Sequence, residues 1–502
     1  MTESLDAILA RGRPDGPALI VPEDGGAVTF AQLAERIEVL AGCLAARGVR
    51  RGDRVAFALP NGPEVIQLQL AIIALGAAAA PLNPAYTHAE FSFYLGDIGP
   101  RLVAVPAAGI AAAESAAGEA HLAVLTIRAT KNEPPALLDA GQPIRPTAIA
   151  ERGGPGDVAV VLHTSGTTSR PKQVPLRQRN LMASTRTIAA HYRLGESDVS
   201  FCVMPLFHVH GLVASAFAAL SAGGSVIVPR RFTPRAFWPQ AREHGATWFS
   251  AGPTLHQMLL DRSDGDSSVP TLKFARSCSS ALPVALLERA ERAYGVPVLE
   301  AYGMTEASHQ MASNPLPPAA RMPASVGVPT GTQIGIASKD GTLLGAGAPG
   351  EVVIRGPGVM DGYVNNPAAT AEAFFGDWFR TGDRGVLRDG YLYLEGRIKE
   401  MIIRGGENIS PAEIEQVLLS HPAVRDAVCF AVPDEKYGEA VAAAVALSQD
   451  ATERTLIGYC RERLAAFKVP TMIYLVPDIP RTTTGKIQRR RVAESVTGRP
   501  AP

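Results

Sequence analysis

Cysteine is scarce in this chain, five in 502 residues, and Cys43, Cys202, Cys278, Cys429 and Cys460 lie far apart. No pair has the spacing of a metal site or a redox motif, which excludes a disulfide scaffold and fits reduced thiols in a cytoplasmic compartment. Excess charge is absent too: 48 Lys and Arg face 48 Asp and Glu. That balance supplies no field for nucleic acid or an anionic membrane as partner. The longest apolar run, "LQLAIIALGAAAAPL" from Leu68, is too short and too Ala-rich to span a bilayer. The N-terminal "MTESLDAILARGRPDG" lacks a basic segment before an apolar one and reads as a short surface helix. The terminal "RPAP" matches no peroxisomal tripeptide. Several signatures of chemistry are missing as well. There is no GxSxG elbow. "GAGAPG" (345–350) has Pro349 inside it and a strand after it, so it reads as a hairpin turn rather than a dinucleotide loop. His208 and His210 have no third ligand at metal-site spacing.

What is present is a 46% hydrophobic composition and a length beyond one ordinary core, so two or more domains are expected. "PALIVPEDGGAVTF" reads as two short strands about an Asp24-Gly25-Gly26 turn. Thr29 and Gln32 have capping-box spacing and open a helix with Leu33, Ile37, Leu40 and Leu44 on one face. "DRVAFAL", a helix over 63–75 and "RLVAVP" continue an alternation of strand and helix. It resumes at "DVAVVLHTSGTT", "GSVIVP", "ATWFSAGPTLHQMLL" and "PVLEAYGMTEA", after an Ala/Pro-rich stretch (107–146) expected to be surface structure around short strands. Such alternation argues for an α/β fold with substantial parallel sheet. After about Ser325 the texture changes to short strands and glycine turns, and after Gly396 come a separate helix, strand and helix. The chain therefore reads as a large N-terminal domain (1–396) and a small C-terminal one (397–502).

"HTSGTTSRPKQVP" (163–175) would make a poor helix and an indifferent strand. It sets the hydroxyls of Thr164, Ser165, Thr167, Thr168 and Ser169 around Gly166 and ends in Lys172. Pro171 and Gln173 flank that lysine, so the Walker A pattern fails. Hydroxyls, a flexible glycine and a cation still have the chemistry of a phosphate grip, and backbone N–H groups of such a turn can form an anion nest. Alone, the loop is equally compatible with a plain Ser/Thr turn.

Four further motifs follow it in order: "YGMTEA" (302–307), "RTGDRG" (380–385), "GRIKEMIIRGGENISPAEIE" (396–415) and "PRTTTGKIQRR" (480–490). With them the chain resembles the adenylate-forming superfamily of acyl- and aryl-CoA ligases, peptide-synthetase adenylation domains and luciferases, over nearly its whole length. "MPLFHVHGL", "RSCSSAL", "EAYGMTEASHQMASNPLP" and "LAAFKVP" resemble the oxalate–CoA ligase subgroup of acyl-CoA synthetases. The resemblance implies an AMP-binding N-terminal domain of α/β layers with a distorted β-barrel part, and a small mobile α+β domain hinged near Lys399. It implies ATP, Mg2+ and coenzyme A, with small-molecule partners only. Lys486 would bridge the carboxylate and the α-phosphate, and Glu306 would hold Mg2+ on the phosphates. Thr305, Lys172 and the loop 164–168 would bind phosphate oxygens. Ser279, Ser280 and Ala281, with Glu300, Ala301, Tyr302, Gly303 and Met304, would surround the adenine. Asp383 and Arg397 would take the ribose hydroxyls. His208, His210, Arg276, Ser279 and His309 would line the acid pocket, with a protonated His309 adding a charge-assisted hydrogen bond. Arg404, Gly405, Gly406 and Glu407 would close over the pantetheine of CoA.

A carboxylate is a poor acyl donor until its oxygen is turned into AMP. These residue types suit that chemistry, because cations and hydroxyl donors offset the charge gathered at phosphorus. The resemblance puts polar groups at the pocket end and, through "EASHQMASNPLP", implies oxalate, with malonate or another short-chain or fatty acid as the alternative. A nucleotide-binding regulatory protein without catalysis is the alternative of a different class. Two positions depart from the superfamily glycines, Ser169 and Gln173; Ser169 is shared with the oxalate subgroup. Gln173 would either stiffen the phosphate loop or point into solvent.

Overall fold

The computed structural model describes residues 4–129, 133–164, 171–262, 267–482 and 487–498, and all counts refer to these. Runs such as "AAAP" and "WFSA" show no polar alternation, so their strands need cover on both faces. Two sheets of that kind build the N-terminal domain, one of nine strands and one of eight. Each has parallel strands at its centre and antiparallel pairs at its edges. Strands Ala78–Pro81, Trp248–Ala251 and Phe274–Ser277 are buried at every position. Helix Phe30–Ala46 opens with the expected capping box of Thr29 and Gln32 and buries Leu33, Ile37, Leu40 and Leu44. Helix Pro63–Ala74 is buried along almost its whole length and packs in the same core. A third, five-stranded antiparallel sheet includes Trp378–Arg388 and Tyr391–Arg397 and is the part expected as a distorted barrel.

Two expectations are corrected. The stretch 107–146 is no mere surface structure: helix Ala111–Glu119 buries Ala113, Ala116 and Ala117, and strands Ala123–Arg128, Ala136–Asp139 and Gln142–Pro143 complete the eight-stranded sheet. Alanines too small to mark a face carried its packing. The N-terminal turn Leu5–Leu9 is likewise not a surface helix, because Leu5 and Ile8 sit in the main core.

The C-terminal domain has its own five-stranded sheet and two cores. Alternate residues of Gly438–Leu447 point to opposite faces: Val441, Ala443 and Val445 pack with helices Pro411–Leu419 and Glu453–Arg461, Ala442 and Ala444 with helix Arg489–Thr497. Among the described residues no helix is long and apolar enough to cross a membrane. All five cysteines are buried and free.

Candidate active site

Ligands of open α/β sheets bind beyond the C-terminal ends of parallel strands, and two of the sequence motifs, at 163–175 and 302–307, lie at such ends. Strand Val158–Thr164 ends at the phosphate-loop sequence, and Lys172 opens the antiparallel return strand opposite Thr164. Ser165, Gly166, Thr167 and Thr168 lie outside the described residues, as does Lys486. The Lys172 ammonium sits 4.5 Å from the centre of the Tyr363 ring, and the Tyr363 hydroxyl donates to Glu306 Oε1 at 3.1 Å. Burial, then the Glu306 charge, holds that phenol above its usual range, so it stays a donor. Thr305 and Glu306 form a single turn at the end of strand Val298–Met304. Lys172, Tyr363 and the turn of Thr305 and Glu306 are thereby brought together from three distant segments.

Gly303 is a packing requirement: a Cβ there would lie 2.1 Å from the His309 carbonyl oxygen. That close approach folds strand His309–Ser313 back on the motif and puts His309 beside the nucleotide residues. Nearby, Glu300 accepts from the Leu282 N–H at 3.1 Å, which ties strand Val298–Met304 to the turn holding Ser279, Ser280 and Ala281. Burial pushes the Glu300 carboxyl up to about 7. Ala301 pairs with Ser313, and Met304 with His309. Asp383 and Arg397 face each other across adjacent antiparallel strands. Arg397 Nε lies 2.8 Å from Asp383 Oδ1, and the Tyr302 hydroxyl donates to Oδ2. Burial first, and then the Asp383 charge, raises the Tyr302 phenol well above its usual range. Tyr302, Asp383 and Arg397 are thus one hydrogen-bonded unit.

The acid-pocket residues form a second unit around Arg276, whose side chain is 0% exposed on a wholly buried strand. Its Nε donates to the Tyr192 hydroxyl at 2.9 Å, Nη1 to Ser250 Oγ at 2.8 Å and Nη2 to His309 Nδ1 at 3.2 Å. His210 spans Ser250 Oγ (2.7 Å, Nε2) and Ser279 Oγ (2.9 Å, Nδ1). Among the described residues no carboxylate pairs with Arg276, and burial raises the Tyr192 phenol, so Tyr192 supplies no counter-charge. A buried cation without an anion carries an effective penalty of several kcal/mol, only partly offset by neutral acceptors. Ser279 (φ +80°), Ser308 (φ +54°) and His309 (φ +103°) all adopt left-handed backbone here. Such strain, of order 1–3 kcal/mol each, concentrates at functional sites.

His309 departs from its expected state, and Gln173, left open between two readings, is decided. A guanidinium only donates, so His309 Nδ1 accepts and the ring beside Arg276 is neutral, not the protonated donor expected. The His208 ring lies beside that of Phe207, tilted by 48° with centroids 4.8 Å apart, and the His210 ring lies 5.0 Å from that of His309. Gln173 does not point to solvent: it is 6% exposed and its amide donates to Asp97 O (2.7 Å) and Oδ2 (2.8 Å). His163, opposite it on the hairpin, meets the same Asp97 Oδ2 at 2.8 Å. Sequence reasoning missed Tyr192, Ser250, Tyr363 and Asp97. The available signal was a serine inside the apolar run "WFSA" and an arginine inside "FARS", polar groups where a buried strand should have none.

The residues expected over CoA lie in the C-terminal domain. Gly405 (φ +59°) and Gly406 (φ +90°) make the turn between strands Ile402–Arg404 and Glu407–Ile409, a conformation that favours glycine. Arg404 donates to Phe467 O at 2.7 Å and lies over the Tyr437 ring. Lys399 is exposed in the one-turn helix Ile398–Glu400. A cavity of about 460 Å3 between the domains is lined by Asn61, Met204, Phe207 and Leu255 on one side and Arg481 and Thr482 on the other.

With this geometry in view, the relatives of the chain are informative. Residues 8–364 match the family model "AMP-binding enzyme", and residues 413–486 match "AMP-binding enzyme C-terminal domain". The chain is 45% identical to an oxalate–CoA ligase of Arabidopsis thaliana, covering 98% of each. It is 38% identical to a sulfoacetate–CoA ligase of Cupriavidus necator, covering 97% of this chain and 96% of that one. The crystal structure of ATP-bound MatB from Rhodopseudomonas palustris superimposes with a TM-score of 0.90 at 29% identity, over 99% of both chains. This chain belongs to the AMP-binding enzyme family.

Proposed function

We propose that the chain is an ATP-dependent, AMP-forming acid–CoA ligase that converts oxalate to oxalyl-CoA. The observation that carries the acid is Arg276, a buried cation with no described carboxylate partner, set behind hydroxyl and imidazole groups beside the "YGMTEA" motif. An apolar channel for a fatty acyl chain would not hold it. The similar ligases named above act on oxalate and sulfoacetate; each acid carries a second anionic group close to the reacting carboxylate.

In the first half-reaction a carboxylate oxygen attacks the α-phosphorus of ATP and the bond to the β-phosphate oxygen breaks, giving an acyl-adenylate and pyrophosphate. Lys486 bridges the two reacting anions, while Thr305, Lys172 and the loop 164–168 hold the phosphate oxygens. Glu306, a buried carboxylate beside Thr305, would hold Mg2+, and the ion would offset phosphate charge when bound. Tyr302 and the 279–281 turn flank the adenine, and Asp383 with Arg397 receives the ribose. In the second half-reaction the CoA thiol, losing its proton to solvent, attacks the acyl carbon, and the C–O bond to AMP breaks. Between the two, the domain from residue 397 onward turns about Lys399 and brings the 404–407 hairpin over the pantetheine. Such an enzyme works in the cytoplasm, where free thiols like its five cysteines stay reduced.

The test is a panel of oxalate, malonate, acetate and a medium-chain fatty acid, assayed for AMP and thioester with and without CoA. Oxalate should lead in kcat/KM, and thioester should require both ATP and CoA. A lead for malonate or the fatty acid would overturn the substrate; absence of AMP with every acid would overturn the ligase.

A further inference from the structure

We infer that Arg276 acts on the bound acid without touching it, through Ser250 and His210, so that the Ser279 hydroxyl becomes a fixed donor toward a second anionic group on the acid. The inference rests on the ligase reading and deepens it. Register sets the first link, because Ser250 and Arg276 are paired residues on adjacent parallel strands. A guanidinium has no acceptor, so at 2.8 Å Ser250 Oγ must accept from Nη1. Ser250 is fully buried and its other partner is His210 Nε2, at 2.7 Å. Its one proton therefore goes to that nitrogen, since a hydroxyl proton left unbonded in the interior is costly. Nε2 is then the acceptor, the imidazole proton sits on Nδ1, and Nδ1–H donates to Ser279 Oγ at 2.9 Å. Having accepted, Ser279 keeps its own proton for a partner outside the relay. All three bonds run outward from the cation, and each polarises the next in a dry interior.

Ser279 holds this hydroxyl on a strained turn (φ +80°) that the Leu282–Glu300 bond ties to the nucleotide strand. Its donor is therefore fixed relative to the reacting centre before the acid arrives. Oxalate, malonate or sulfoacetate can accept that donor with a second anionic oxygen. An acid of similar size with one anionic group, such as glycolate, cannot. Ser250 and Arg276 are positioning residues for selectivity, and the serine has no other assigned part.

Two measurements test this. [15N]Histidine NMR of the wild-type protein, with His210 assigned by difference against His210→Gln, should show the neutral Nδ1–H tautomer. An Nε2–H tautomer or an imidazolium would overturn the relay without any Ser250 variant. In Ser250→Ala, kcat/KM for the preferred two-anion acid should fall about tenfold, the scale of one lost polar contact. KM for ATP and the constant for glycolate, as substrate or competitive inhibitor, should stay within about twofold. An equal fall for glycolate, the two-anion acid and ATP would mark a purely structural role and overturn the inference, as would an unchanged ratio of two-anion to one-anion acids. If malonate or sulfoacetate proves the better substrate, the choice of oxalate fails while the ratio still decides the relay.

Discussion

Replacing Gln173 by alanine removes the two bonds to Asp97 and the one its Oε1 accepts from Arg54 at 3.3 Å, leaving Asp97 with His163 alone among these partners. Unmade buried bonds of this type cost about 1–3 kcal/mol. Gln173→Ala should lower chemical-denaturation stability by that amount and raise KM for ATP more than KM for acid, because His163 and Gln173 root the phosphate-loop hairpin. Unchanged stability would show that Asp97 is satisfied without it. Glu300 gives a pH-dependent case. Its folded pKa, about 7, lies above its ordinary value of 4.5 because of burial. Between those values the folded state keeps a proton that the unfolded chain releases, so the group's contribution is most favourable below pH 4.5 and is lost as pH rises to 7. Glu300→Gln retains an acceptor for Leu282 N–H without the ionisation. Its Tm advantage over wild type should therefore grow from pH 5 to pH 7 and level off above it. An advantage equal at both ends would refute the assignment. Neither effect was legible in the sequence, since Gln173 and Asp97 are 76 positions apart and only the folded hairpin joins them.

At the scale of elements, the helix Ile398–Glu400 is fastened from the far end of the chain. Arg489 Nε lies 3.0 Å from Glu400 Oε2, and its Nη1 donates to Glu415 and to the Cys429 carbonyl. Arg489 follows Lys486 by three residues, so the lysine-bearing segment and the proposed hinge share one buried anchor. Lys399→Pro fixes φ near the helical value of that turn. It should leave adenylation within about threefold of wild type and slow thioester formation by at least about tenfold, read as pyrophosphate release against acyl-CoA formation. Equal activity in both halves would refute the hinge. The elements themselves were largely readable: the capping box at Thr29 and the apolar strands ending at Thr164 and Met304 stand where their patterns put them. Helix Ala111–Glu119 was not, because its buried face is alanine and gives no periodic signal.

For the whole molecule, the motifs gave the proposed nucleotide residues through resemblance, whereas the supports around them came only with the fold. Ser250, Tyr192 and Arg276 stand at unrelated sequence positions, and their network exists because adjacent strands and a neighbouring helix bring them together. The placement of Arg481 and Thr482 against Asn61 and Met204 brings the C-terminal segment that leads to Lys486 up to the large domain. The proposed chemistry joins a carboxylate to ATP. That joining is the central claim, and isotope transfer tests it most directly. With oxalate labelled with 18O in its carboxylates, ATP and CoA, the oxygen that attacks phosphorus must leave with AMP. Mass spectrometry should find one labelled oxygen per AMP formed, and oxalyl-CoA in equal amount. Unlabelled AMP, or ADP with labelled inorganic phosphate, would contradict the account.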